Sequence, residues 1–253
     1  MKDFILEITR EAGIRIKEQF GTAPVKYFKT HETDIVTEAD LLANTIITEA
    51  IRLKYPTHGI VSEETGEHQK GADVVWIIDP LDGTANFASG IPMFVVMLAV
   101  AEKGSVTTTA IYDPMREELA FAQKNQGAFI NDQRIFCCQK KMLSESFGCL
   151  SSLMNKKQVS LCEMIIEKEK NLWVSCYGCA GYTGMCVASG KRDWLVSFNT
   201  RIWDNAPKAL LMQEAGCVVT NTRGAPWQMG DDIVAANPRL HRKLIAYLNK
   251  VQV

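Results

Sequence analysis

Two carboxylates three positions apart, Asp79 and Asp82, stand in the run Trp76-Ile77-Ile78-Asp79-Pro80-Leu81-Asp82-Gly83-Thr84-Ala85-Asn86-Phe87. Val74 to Ile78 are apolar and read as a buried strand ending at Asp79. There the chain must turn, because Pro80 fixes φ and Gly83 permits a backbone conformation that other residues resist. A solvated, aspartate-rich loop is the other reading, but it gives no reason for an apolar strand to lead its first acid inward. Buried paired carboxylates repel and take up protons unless a cation lies between them. The chemistry expected of this turn is therefore coordination of a divalent ion. It would sit at the C-terminal end of a strand, where open α/β sheets bind ligands.

Other acids fall at comparable places. Glu63 and Glu64 follow the short apolar strand Ile60-Val61, and Asp204 opens the helix that begins Ile202-Trp203-Asp204. Glu63, Asp79, Asp82 and Asp204, with the Leu81 carbonyl, form an all-oxygen donor set suited to Mg²⁺ or Mn²⁺. More than one ion fits such a set, since two-metal phosphoryl sites hold their ions roughly 3.5–4 Å apart. Asp204 also reads as a helix N-cap with no further role. Asp40, three residues after Thr37, likewise reads as a capping partner favoured by the helix dipole, which leaves a functional role open. Gly83 to Phe87 reads as a helix start whose free N–H groups would cradle an anion such as phosphate.

The elements that carry these residues follow from periodicity. An amphipathic helix covers Met1 to Phe20 and a second follows Thr37, with Gly21 to Lys29 as an irregular link and Gly66 to Gly71 as a polar loop. A meander is expected over Phe94–Glu102, Val106–Tyr112, Glu118–Gln123 and Ala128–Asn131, divided by turn residues. Ser146 to Ser151 is a further candidate strand. From about Asn155 the pattern becomes αβαβ: helix Val159–Lys170, strand Trp173–Tyr177, helix Tyr182–Ser189 and strand Trp194–Phe198. The helix from Ile202 runs to Ala215, strands cover Cys217–Thr220 and Ile233–Ala236, and a last helix follows Pro238. The reading is a mixed α/β, or α+β, chain in two halves, 1–145 and 146–253, packed as one compact unit.

Composition narrows the function classes. The 253 residues are 47% hydrophobic and 23% charged with a net charge of −1, which describes an ordinary globular protein. The balance gives no electrostatic reason to expect a nucleic acid or an anionic membrane as partner. No signal peptide is legible and the longest apolar run is too short to span a bilayer, so a cytoplasmic protein is expected. The eight cysteines lack zinc-site spacing and are expected to be free, mostly buried thiols.

Asp79-Pro80-Leu81-Asp82-Gly83-Thr84, preceded by Glu63-Glu64 and followed far downstream by Trp203-Asp204, closely resembles the inositol monophosphatase family. The wider superfamily includes fructose-1,6-bisphosphatase and 3′-phosphoadenosine phosphatases. The likeness runs from Lys29, Asp34-Ile35-Val36-Thr37 and Asp40 to the final strands. It implies a layered αβαβα sandwich and Mg²⁺-dependent, Li⁺-sensitive hydrolysis of a small phosphorylated metabolite, often by a homodimer. By resemblance, Glu63, Asp79 and the Leu81 carbonyl hold a first ion, and Asp79, Asp82 and Asp204 a second. A third, weaker ion uses Glu63 and waters. Thr84 beside Asp40 matches the pair that orients or deprotonates the attacking water, with Asp34 in support. Gly83 and Thr84 offer N–H groups to phosphate, and Gly178 and Ala180 match the segment whose backbone contacts substrate. Asp82 is better read as a metal ligand than as a nucleophile.

Substrate choice departs from the pattern. Many members carry a glutamate seven residues before the last metal-binding aspartate, where it grips ring hydroxyls, and here that residue is Ser197. Losing this acceptor weakens the case for inositol, because a site built to bond a hydroxyl discriminates strongly for it. Arg201, either solvated at the surface or turned to a second anionic group, has a counterpart in archaeal-type enzymes that cleave fructose bisphosphate. Inositol-1-phosphate leads on family frequency. Its rivals are fructose-1,6-bisphosphate, 3′-phosphoadenosine 5′-phosphate and the 2′-phosphate of NADP. A metal-responsive regulatory protein without catalysis is the reading from another class.

Overall fold

A computed structural model describes residues 1–29, 35–150, 155–198 and 201–251. The chain opens with α1 (Lys2–Glu18), β1 (Val25–Phe28), β2 (Ile35–Thr37) and α2 (Glu38–Lys54), then β3 (Gly59–Ser62), β4 (Gly66–His68) and β5 (Val74–Asp82). After the short helix α3 (Thr84–Ala88) come β6 (Val95–Glu102), β7 (Ser105–Asp113), β8 (Glu118–Gln123), β9 (Gly127–Ile130) and β10 (Gln133–Ile135). The remainder is β11 (Phe147–Leu150), α4 (Lys156–Glu169), β12 (Trp173–Ser175), α5 (Ala180–Ala188), β13 (Trp194–Ser197), α6 (Ile202–Glu214), β14 (Val218–Thr220), β15 (Ile233–Ala236) and α7 (Pro238–Leu248).

These elements stack as five layers, the αβαβα sandwich. The first sheet has the order β10-β9-β8-β7-β6-β5-β3-β4, antiparallel except where β3 runs parallel to β5. The second has the order β12-β11-β13-β15-β14. Helices α1 and α2 cover one face of the first sheet, burying Phe4, Ile5, Ile8, Ala12 and Ile16 at helical spacing against Trp76, Ile78 and Leu98. Helices α5 and α6 lie between the sheets, and α7 packs on the far side of the second. Helix α6 is buried continuously from Asn205 to Met212, as expected of a helix walled in on all sides. Each large apolar side chain so buried contributes about 1.5–3 kcal/mol.

Several expectations need correction. The link Gly21–Lys29 contains β1, which pairs with β2. All four β1 residues are exposed, so no apolar alternation marked it. The loop Gly66–Gly71 holds the equally exposed β4, and Gln133–Ile135 forms an edge strand. Helices α4 and α5 begin earlier than their apolar stripes, at caps Asn155 and Cys179. Pro207 lies in the second turn of α6, where it removes an intrahelical donor. Asp34 lies outside the described residues, as does Ser151. No described helix is long and apolar enough to cross a membrane.

Candidate metal centre

Strand β5 does not stop at Asp79 but continues to Asp82 through an irregularity. Asp79 pairs with Met97 of β6 and Asp82 with Val95, so three steps on β5 match two on β6. In a regular strand residues three apart face opposite sides. The extra residue of this bulge returns Asp82 to the side of Asp79, and it accommodates Pro80, which has no N–H for the ladder. Gly83 follows with φ 93°, and a Cβ there would lie 2.8 Å from the Met93 carbonyl oxygen. Only glycine fits both the conformation and the space.

Asp204, the third residue of α6, joins the pair from the other half of the chain. Carboxylate oxygens of Asp79, Asp82 and Asp204 all lie within 4.8 Å of one another. Asp79 is 1% exposed, and its Oδ1 finds no hydrogen-bond partner among the described residues. Burial, then the charges of Glu63, Asp82 and Asp204, push its carboxyl well above the usual carboxylate range. A naked buried acid among acids is costly unless a cation offsets it. The donors are all hard oxygens at close quarters, so the cluster fits a small divalent ion.

The other two acids are anchored. Asp82 Oδ2 accepts the Gly181 N–H at 2.6 Å and the Cys179 thiol at 3.0 Å. Burial and Asp204 still raise its pKa, against those hydrogen bonds. Asp204 Oδ2 accepts the Arg201 N–H at 2.8 Å, so Arg201 and not Asp204 is the N-cap of α6, and Asp204 closes the capping box from the third helical residue while facing the cluster. Its pKa is raised by burial and held back by Lys208. Glu63 stands outside the group of three. Lys29 Nζ donates to Glu63 Oε1 and to Glu64 Oε1, each at 2.8 Å. Burial pushes Glu63 up to about 7 in spite of that ammonium. The two glutamates in turn raise the Lys29 pKa, more than offsetting its burial.

Asp40 caps α2 with one carboxylate oxygen and meets Thr84 with the other. Its Oδ2 accepts the Thr37 N–H at 2.7 Å, completing the capping box of α2. Its Oδ1 lies 2.8 Å from Thr84 Oγ1, which is also 2.9 Å from the Leu81 carbonyl oxygen. The single hydroxyl proton of Thr84 serves one acceptor at a time, which leaves the hydroxyl able to switch. Burial raises Asp40 to about 6, against hydrogen bonds from Thr37 and Thr84.

The expected substrate residues are placed less uniformly. Helix α3 has only five residues, so it offers an anion free first-turn amides at Gly83 and Thr84 rather than a long dipole. Gly178, with φ 66°, is tied to α3 by Asn86, whose Nδ2 donates to the carbonyls of Tyr177 at 2.8 Å and Met93 at 2.9 Å. Ala180 is the first residue of α5. Arg201 is exposed at the α6 N-terminus, and its charge helps hold down Asp204. Ser197 is buried on β13 opposite Ile233 and bonds none of the cluster acids among the described residues. Sequence reasoning gave no role at the site to Lys29, Asn86, Cys179, Gly181 or Lys208. For Lys208 a signal existed, a lysine on the apolar run of a helix one turn after Asp204.

Comparison with known proteins adds to this geometry. Residues 1–252 match the model described as the inositol monophosphatase family. The Nus factor SuhB of Salmonella typhimurium is 35% identical, covering 97% of this chain and 94% of its own. The extragenic suppressor protein suhB of Bartonella henselae superposes with a TM-score of 0.92 at 27% identity, covering 99% of each chain. The IMPase of Thermotoga maritima does so with a TM-score of 0.88 at 31% identity, covering 98% of this chain and 96% of its own.

Proposed function

The chain belongs to the inositol monophosphatase family, and from that premise we propose that it is a Mg²⁺-dependent phosphomonoesterase acting on a small phosphorylated metabolite. One observation carries the reading. The carboxylates of Asp79, Asp82 and Asp204 converge within 4.8 Å, with Asp79 Oδ1 buried and bare, close to a paired Thr84 and Asp40. Mg²⁺ held by Glu63, Asp79, the Leu81 carbonyl, Asp82 and Asp204 would supply positive charge against the phosphate and acidify a water, with Mn²⁺ as a substitute. The resemblance implies two to three such ions.

The chain's own groups have definite tasks in this scheme. Thr84 Oγ1 accepts a proton from the attacking water as its own proton passes to Asp40 Oδ1, 2.8 Å away. With its carboxyl at about 6, Asp40 is suited to receive and return a proton near neutral pH. The water oxygen bonds to phosphorus as the bond to the leaving alkoxide breaks, so no phosphoenzyme is formed. Gly83 and Thr84 N–H groups hold phosphate oxygens. Gly181 and Cys179 keep Asp82 in place, and the resemblance gives Asp34 a supporting role, towards Asp40 and Thr84 or an outer-shell metal water. Gly178, Ala180, Ser197 and Arg201 frame the rest of the substrate.

Inositol-1-phosphate is the leading substrate on family frequency, with fructose-1,6-bisphosphate, 3′-phosphoadenosine 5′-phosphate and NADP as rivals. The name Nus factor, carried by the Salmonella relative, favours a second reading, a regulatory protein that keeps the metal site without turnover. We place the protein in the cytoplasm as a homodimer, with neither nucleic acid nor membrane as its main partner. Phosphate release from the four substrates with Mg²⁺, against Asp79→Asn as control, tests the proposal. One substrate far ahead and lost in the variant is the expected result. No release from any of them, with tight Mg²⁺ binding intact, would transfer the case to the regulatory reading.

A further inference from the structure

Two of the eight free cysteines, Cys137 and Cys217, are brought together from opposite halves of the chain. The Cys137 N–H donates to the Ala215 carbonyl at 2.9 Å, which lays the segment leaving β10 along the turn between α6 and β14. Gly216 makes that corner with φ 93°, and a Cβ on it would lie 3.8 Å from Cys137 Sγ. The Cys137 thiol therefore rests against the residue next to Cys217. Cys217 is fixed in turn by its own N–H, which donates to the Met212 carbonyl at 2.9 Å. Both side chains belong to one apolar cluster with Met212 and Ala215, and the two thiols are in hydrogen-bonding contact.

The adjacent Cys138 is engaged elsewhere. Its Sγ accepts a hydrogen bond from Asn237 Nδ2 at 3.3 Å and donates to the Asp193 carbonyl oxygen at 3.7 Å. Burial pushes its thiol up to about 11. Contact with Cys217 acts the other way on Cys137 and holds that thiol below its usual value, while Cys217 is pushed well above. Cys137 is thus the better nucleophile of the pair. Exposures of 5% for Cys137 and 7% for Cys217 leave an approach for a small oxidant and none for a protein.

We propose that Cys137 and Cys217 form a modification site, a dithiol that hydrogen peroxide closes into a disulfide stapling the end of the first sheet's edge to the turn after α6. The Cys137 thiolate attacks one peroxide oxygen and the O–O bond breaks, giving a sulfenic acid and, with the thiol's proton, one water. The Cys217 sulfur then displaces the hydroxyl, which leaves with the Cys217 proton as a second water. Two thiols give up two electrons and peroxide takes them. The bond closes a loop of about 80 residues, which restricts the unfolded chain. Asp204 lies at the opposite end of α6, about 15 Å of helix away, so the staple leaves the carboxylates as they are.

The test treats the reduced full chain with equimolar hydrogen peroxide, alkylates the remaining thiols in denaturant and maps the peptides by mass spectrometry. Wild type, Cys138→Ser and Cys137→Ser are compared. Wild type is expected to lose the mass of two hydrogen atoms and two alkylatable thiols, with Cys137 joined to Cys217. Cys138→Ser should form the same link and Cys137→Ser should not. The thermal midpoint should rise by about 5–10 °C on oxidation and fall back with dithiothreitol. Cys137 and Cys138 share one tryptic peptide, so its fragmentation in wild type assigns the sulfur even if a variant fails to fold. A link from Cys217 to Cys138, or Cys137 and Cys217 both still alkylated, overturns the proposal. A Cys137–Cys217 link that leaves the midpoint unchanged or lower overturns the staple.

Discussion

The metal-free protein is expected to lose stability as pH rises through neutrality, and Mg²⁺ is expected to abolish the loss. Burial lifts Asp40 from 3.8 to about 6 and Glu63 from 4.5 to about 7 in the folded chain. A carboxyl whose folded pKa exceeds its unfolded value holds its proton longer when folded. Folding is therefore most favoured below the unfolded pKa and is penalised progressively until the pH passes the folded one. A pKa difference of one is worth about 1.4 kcal/mol. Between pH 5 and 8 the loss comes to about 1 kcal/mol for Asp40 and about 3 kcal/mol for Glu63. Asp79, Asp82 and Asp204 are displaced in the same direction. His58 and His241, held below the ordinary imidazole value of 6.5 by burial, act in the opposite sense as pH rises towards it. The histidines are untouched by metal, so the difference between chelated and Mg²⁺-saturated samples isolates the acids. Urea unfolding followed by tryptophan fluorescence, at pH 5 to 8 with chelator or with Mg²⁺, measures that difference. A chelated stability that is flat or rises with pH, or that falls identically with Mg²⁺ present, would refute the reasoning.

Three further outcomes are specific enough to check. Thr84→Val keeps the shape and removes the hydroxyl, so kcat on the best substrate should fall by about 10²-fold or more while Mn²⁺ affinity holds. Gly83→Ala forces a Cβ to within 2.8 Å of the Met93 carbonyl at φ 93°. Thermal unfolding should register about 1–3 kcal/mol of lost stability, together with lower activity. Arg201→Ala should raise KM for bisphosphate substrates and leave inositol-1-phosphate unchanged, if Arg201 binds a second anionic group. Equal effects on both would assign it to solvation or helix capping.

The layered fold was legible because its buried elements advertise themselves. The apolar run into Asp79, the Thr37–Asp40 cap and the apolar stripes of α1 and α2 each have one physical solution. Strands β1, β4 and β10 were not legible because their residues are largely exposed and their pairing is decided by neighbours. Asp79, Asp82 and Asp204 were named as partners from their place at strand ends, and the structure does gather them. The bulge that turns Asp82 to the same side is invisible in sequence, since Pro80-Leu81 reads as a turn. Nor could sequence place the Cys179 thiol on Asp82, a contact between residues 97 apart. Lys208 was passed over because one lysine in an apolar helix stripe reads as an amphipathic stem reaching solvent.

The bond from Gly181 to Asp82 spans 99 residues, and α6 lies further on still. On a ribosome, Asp79 and Asp82 emerge as half of a site, without the third carboxylate, the clamp from α5 or the lysine. At about 5–20 residues per second, roughly 6–25 s pass before α6 is made. The growing chain is therefore a poor chelator until α6 has been made, and a fragment terminated before α6 would leave the cell's free Mg²⁺ alone.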